Sequence, residues 1–278
     1  MQAQILDIAT SAAMLYAVAA GLLVIFGVMK IINFAHGAFL TLGGYCALLT
    51  TWAGISPWLA FPVAAIVGFI IGALVERFIV RPLYQRPLDA ILATWGLGII
   101  LGQVITLIFG REVQFVQSPV QGTALVLDTD YSLYRLLLVP GAILVGVALA
   151  ALLHGTRLGL AARAVIMNEA LARGLGIDSD RVRSLTFGLG SALAALAGAL
   201  ITPLSSVDPA MGVPWLVNAF MLVMVAGRSL ISLMVATVVL GGAQVLVSSY
   251  ASPVLGGLTI AVLAAIILRI RPQGFARD

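Results

Sequence analysis

The chain has 278 residues, of which 62% are hydrophobic and 9% charged, with a formal net charge of +4. So little charge cannot cover a water-soluble globule, which excludes that class and leaves a membrane protein. The single cysteine, Cys46, excludes an intrachain disulfide and offers no metal set.

Apolar stretches over residues 5–29, 33–53, 57–79, 89–110, 133–153, 185–204, 214–227, 231–249 and 253–268 predict eight or nine spans. Backbone groups in lipid must bond within their own segment, and continuous apolar runs do not alternate as barrel strands do. The fold class is therefore all-α: a polytopic transmembrane helix bundle forming one domain over residues 1–278. The first stretch, Ile5 to Met29, has no basic start and no clear cleavage site, and reads as a retained span.

Arginines set the orientation. Arg77, Arg81 and Arg86 lie between the third and fourth stretches. Arg157, Arg163, Arg173, Arg181 and Arg183 lie between the fifth and sixth; both segments are expected in the cytoplasm. The 111–132 segment carries Glu112, Asp128 and Asp130 against Arg111 and belongs outside. Arg228 falls at an inside junction, and Arg269, Arg271 and Arg277 place the C-terminus in the cytoplasm. The basic excess thus reports membrane orientation and no nucleic-acid partner. At the N-terminus two readings stand. Two full crossings put Lys30 inside and the N-terminus outside, whereas a helix broken within the membrane leaves the N-terminus inside.

The stretch KIINFAHGAFLTLGGY, residues 30–45, places Asn33 and His36 between long apolar runs. As a helix it brings Asn33, Gly37, Thr41 and Gly44 to one face, with His36 and Gly43 beside them. Polar groups in spans face a bundle interior or a water-filled path, so these residues are candidates for a translocation path. The alternative is interhelical hydrogen bonding, worth on average about 0.6 kcal/mol. Each glycine lowers helix propensity by about 1 kcal/mol relative to alanine, which predicts a deformable helix. Gln103, Asn218 and Gln244 are further intramembrane amides. Gly68 with Gly72, Gly98 with Gly102, and Gly190 with Ala194 and Gly198 predict close helix packing.

Between His154 and Ser184, Ala164, Met167, Leu171 and Leu175 recur at intervals of three and four, which predicts an amphipathic helix ending at Gly174 or Gly176. Such a helix either docks in a groove on a partner or rests at the membrane interface. No HExxH, CxxC or GxxxxGK[ST] pattern occurs, so catalytic, metal and ATP sites are not expected in this chain.

Three motifs in order, RAVIMNEALARGLGI (163–177) with Phe187, Gly190 and Gly198 following, INFAHGAFLTLGGY, and the ending RIRPQGF, resemble the LivH-type permeases of branched-chain amino acid ABC transporters. The resemblance covers the chain from end to end. It implies a cytoplasmic coupling segment, residues 155–183, whose helix docks on an ATPase subunit. Arg163, Asn168, Ala172, Gly176 and Ile177 match position by position, while the acid, Glu169, stands one place earlier than in many relatives. Ala38 occupies a position that is acidic in many relatives. The resemblance further implies a non-enzymatic importer subunit for branched-chain or related hydrophobic amino acids, in the inner (cytoplasmic) membrane of a bacterium. Its partners would be a homologous second permease, two cytosolic ATPases that hold the ATP, and a periplasmic or extracytoplasmic substrate-binding protein; no cofactor would be bound by this chain. A urea or short-chain amide permease is the alternative within the family. A stand-alone secondary transporter or channel is disfavoured by the lack of an evident inverted repeat and of a mid-span carboxylate.

Overall fold

The computed structural model describes residues 2–126 and 129–275, so Asp128 and Arg277 lie outside the described residues. Every predicted apolar stretch forms a helix. In chain order these are α1 (Gln2–Met29), α2 (His36–Trp52), α3 (Ala60–Val75) and α4 (Pro87–Phe109), then α5 (Leu133–Gly155). They continue with α6 (Arg157–Met167), α7 (Glu169–Gly174), α8 (Ser179–Ser205), α9 (Gly212–Ala226), α10 (Leu230–Tyr250) and α11 (Pro253–Ile270). A short antiparallel pair, β1 (Thr123–Val126) and β2 (Thr129–Ser132), precedes α5. Among the described residues, seven helical stretches are long and apolar enough to cross a membrane; α2 and α9, with 17 and 15 residues, are shorter. At 1.5 Å per residue these two reach only about 26 and 22 Å, less than a hydrocarbon core of about 30 Å.

Helix starts follow their capping chemistry. Proline opens α4 and α11, and the side chains of Ser229 and Ser252 accept backbone N–H bonds at the starts of α10 and α11. α3 runs on through a π-helical turn, Glu76–Val80, and a 3₁₀ turn, Arg81–Leu83, so the continuous span is Pro57–Leu83.

Cross-chain bonds fix which ends lie together. Arg135 at the start of α5 pairs with Asp7 of α1 at 3.1 Å, and Tyr131 of β2 donates to the same carboxylate at 2.9 Å. Tyr250, ending α10, reaches Gln4 at 3.1 Å. The N-terminus therefore shares one end of the bundle with the β-hairpin. At the opposite end Arg81 meets the Asp180 carbonyl at 3.3 Å, and the Phe275 amide bonds Val225 near the end of α9 at 2.7 Å. Of the two N-terminal readings, the crossing with the N-terminus on the 111–132 side matches this arrangement.

The expected helix from residue 33 is corrected. Lys30 has φ 54°, a left-handed conformation that stops α1, and residues 30–35 are not helical. The chain turns back on α1 before α2 begins at His36, whose Nε2 lies 2.9 Å from the Val18 carbonyl oxygen. Val18 is eleven residues before Met29, so α2 starts about 16 Å inside the end of α1. α1 is thus a full-length span, and the non-helical residues 30–35 lie inside the bundle, ahead of a shorter α2.

α1 and α8 are the most buried spans. α8 meets three neighbours through small residues where side chains would not fit. A Cβ on Gly198 would sit 1.9 Å from the Leu40 carbonyl oxygen of α2, and one on Gly43 1.8 Å from that of Ala195. Gly190 faces the Gly21 carbonyl of α1 at 2.6 Å, and Gly68 of α3 faces the Ser191 carbonyl at 2.7 Å. The glycines of α2 thus act as contact points with α8 and α9; the predicted pairs at 68/72 and 190/194/198 are packing seams. The pair at 98/102 makes only ordinary contacts, 3.6 Å or longer.

Gly198→Leu is expected to destabilise the detergent-solubilised protein by roughly 3 kcal/mol or more, because backbone must yield. Gly96→Ala, in α4 with open space at its Cβ, is expected to stabilise by up to about 1 kcal/mol. Thermal unfolding of the two variants checks both.

Candidate functional site

The segment after α5 is built in two pieces, where one amphipathic helix was predicted. Asn168 takes an extended conformation, φ −158° and ψ 101°, which ends α6 and starts α7. Its Oδ1 accepts the Leu171 amide at 3.0 Å, an N-cap bond worth about 1 kcal/mol. The apolar period runs across this break, so the periodicity alone did not reveal it. α7 ends as expected: Gly176 has φ +85°, and the Ile177 amide returns to the Ala172 carbonyl at 3.0 Å.

The two faces of this segment differ sharply. Ala162, Val165 and Ala172 are buried against the spans. Met167, Leu171 and Leu175 are 87%, 61% and 74% exposed, an uncovered apolar row with Arg163 and Asn168 exposed nearby. Contiguous apolar exposure outside the spans marks an interaction surface.

Charged groups pin α7 from below. Glu169 bonds Arg173 at 3.1 Å and also Arg183 of α8, and Arg173 continues to Asp180 at 2.8 Å. The Arg183 guanidinium lies 4.3 Å from the centre of the Tyr84 ring. The Tyr84 hydroxyl donates to Glu76, a carboxylate with 0% exposure at the π-helical turn. Arg81 Nε adds a bond to the same oxygen at 3.4 Å. Burial and the bond to Glu76 push the Tyr84 hydroxyl far above its ordinary pKa, so it remains a donor. Sequence reading placed Glu169 in the coupling segment and did not single out Glu76 or Tyr84. The available signal was a carboxylate, Glu76, at the end of an apolar run.

The predicted path residues come together in the interior. Asn33 Oδ1 accepts the Ala35 amide at 3.1 Å, closing the turn before α2, while its Nδ2 has no protein partner. His36 bridges to Val18 of α1 as described. Thr41 donates to the Gly37 carbonyl and accepts the Gly212 amide, both at 3.1 Å, so α2 and α9 meet at their N-terminal ends. Gly37 and Gly212 touch backbone to backbone, and Gly44 packs near Thr202 and Met211. All five residues, Asn33, His36, Gly37, Thr41 and Gly44, are buried. Around them, Phe34 donates its amide to Thr94 of α4 at 3.3 Å and its ring lies 6.3 Å from that of Phe220 on α9. On the outer surface of α4, Gln103 is exposed within an apolar span; Asn218 of α9 and Gln244 of α10 are half-buried.

These features define a multi-pass membrane protein with an ion-paired helical segment at one end that presents an exposed apolar row. A family model described as "Branched-chain amino acid transport system / permease component" matches residues 4–269, and the chain belongs to that family. It is the permease subunit of an ABC importer and works with other components of such a system. Relatives include the probable branched-chain amino acid transport permease protein LivH of Methanocaldococcus jannaschii, 30% identical over 87% of this chain and 80% of the relative. The high-affinity branched-chain amino acid transport system permease protein LivH of Escherichia coli K12 is 28% identical over 92% and 89%. Among solved structures, PsaBC from Streptococcus pneumoniae in complex with Fab aligns with a TM-score of 0.51 at 16% identity, covering 95% of this chain and 91% of that one, a likeness of fold.

Asn168→Ala is expected to cost α7 about 1 kcal/mol, because a six-residue helix cannot hold without its cap. Hydrogen–deuterium exchange over 169–175 should quicken about fivefold, and unchanged exchange would show that the cap carries no weight.

Proposed function

We propose that this permease imports branched-chain or related hydrophobic amino acids and that the 155–183 segment is its coupling element. The observation that carries the coupling reading is the exposed row Met167, Leu171 and Leu175 on a capped, ion-paired helix. Arg163, Asn168, Glu169, Ala172, Gly176 and Ile177 shape that element: Ala172 seats it, Asn168 and Gly176 bound it, and Glu169 ties it to α8. The row enters a cleft on one of the two cytosolic ATPases, which hold the ATP; this chain binds no cofactor. The α7 end and the C-terminus lie in the cytoplasm, and the hairpin end faces an extracytoplasmic substrate-binding protein, in a cytoplasmic membrane. The names of the relatives support the substrate class.

A homologous second permease completes the path along the α4 and α9 side. An exposed amide, Gln103, on a largely uncovered apolar span supports that side, because polar groups in spans face protein or water. The buried set from Asn33 to Gly44 stands directly behind it. As the helices separate during alternating access, this set becomes the wall of the path.

Leu171→Asp is expected to weaken ATPase binding at least about tenfold, the loss of one buried leucine. Titrating the ATPase onto the permease in nanodiscs measures this, and unaltered affinity would refute the dock. Asn33→Leu removes the bond to the Ala35 amide at a cost of about 1 kcal/mol. Assembly should survive while uptake into proteoliposomes falls several-fold; full uptake would make Asn33 a packing residue.

A further inference from the structure

Docking alone does not account for the buried side of α7. There, Glu169 of α7, Arg183 of α8, Tyr84 and Glu76 of the α3 extension form an unbroken chain of side chains. A second branch runs from Glu169 through Arg173 and Asp180 to Arg81 and returns to Glu76. Glu76 is expensive to bury, and one of its oxygens, Oε2, has no protein partner. An apolar residue would fill this site at lower cost. The π-helical turn that holds Glu76 lies where the regular α3 span changes winding, and such turns are places where a helix can readjust. The network thus joins the element that carries the exposed apolar row to the two spans, α3 and α8, that share the most extensive packing.

We propose that Glu76, Tyr84 and Arg183 are positioning residues that relay displacement of α7 to spans α3 and α8. The proposal rests on the coupling reading above, and its failure is separable from that of the reading. Tyr84→Phe keeps the ring beneath Arg183 and removes only the hydroxyl that meets Glu76. Arg183→Gln removes the charge shared by Glu169 and the ring.

The test uses the complete importer, with its second permease, ATPases and binding protein, in proteoliposomes. For Tyr84→Phe, substrate taken up per ATP hydrolysed should fall about tenfold, the effect of losing one charge-assisted hydrogen bond, while ATPase affinity stays unchanged and the importer, less heat-stable by that bond, remains fully assembled at the assay temperature. Arg183→Gln should do the same, and the double variant should be no worse than the poorer single, since both act on one relay. An unchanged uptake-to-hydrolysis ratio in Tyr84→Phe, additive effects in the double variant, or a loss explained by incomplete assembly would overturn the relay. If Leu171→Asp binds the ATPase normally, the coupling reading itself falls. If that variant loses binding while Tyr84→Phe stays coupled, only the relay falls.

Discussion

Backbone contact at α8 is the constraint on which the bundle depends. Helices in lipid gain nothing by hiding apolar side chains from one another, so their association rests on close van der Waals approach. Along α8, Gly190, Ser191, Ala195 and Gly198 let α1, α2 and α3 come near enough for carbonyl oxygens to touch Cα positions. Those contacts hold α2 against α8 and set the depth at which α2 meets α9. The polar turn, the hairpin contacts and the 155–183 segment are all suspended from this seam.

The opposed starts of α2 and α9 follow from it. Neither helix is long enough to cross alone, and each approaches its start through a non-helical stretch. Irregular backbone at such depth is tolerated only inside protein, where its amides find partners. Here Asn33 supplies one partner, for Ala35, and Thr41 another, for Gly212. Asn33 and Thr41 therefore satisfy backbone amides that the broken helices leave open.

Much of this was legible in the sequence, because long apolar runs and spaced small residues have few physical outcomes. The all-α class, the places of the spans, the packing seams at 68/72 and 190/198 and the glycine ending α7 all follow from local rules. What escaped was set by single backbone conformations or by distant partners. Lys30 enters the left-handed region although nothing local requires it, and that moves the start of α2 from 33 to 36. Asn168 breaks an otherwise continuous helical period, since its side chain bonds an amide better than it fits mid-helix. Glu76 could not be recognised as buried, because its neighbours Tyr84 and Arg183 reach it only through the folded chain.

The uninterrupted length of α8 has a mechanical meaning. Its 27 residues form a rod of about 40 Å, with Asp178 capping one end beside α7. Past the other end, Val207 exchanges both backbone hydrogen bonds with Gln114 of the opposite surface, at 2.8 and 2.9 Å. A rigid rod magnifies small rotations: tilting by about 5° about one end carries the other through about 3.5 Å. That travel exceeds the tolerance of a hydrogen bond. Because Val207 and Gln114 tie the far tip of α8 to the chain after α4, the two ends of the bundle are joined through one continuous helix, and a lean of α8 at the α7 end is borne by that pair.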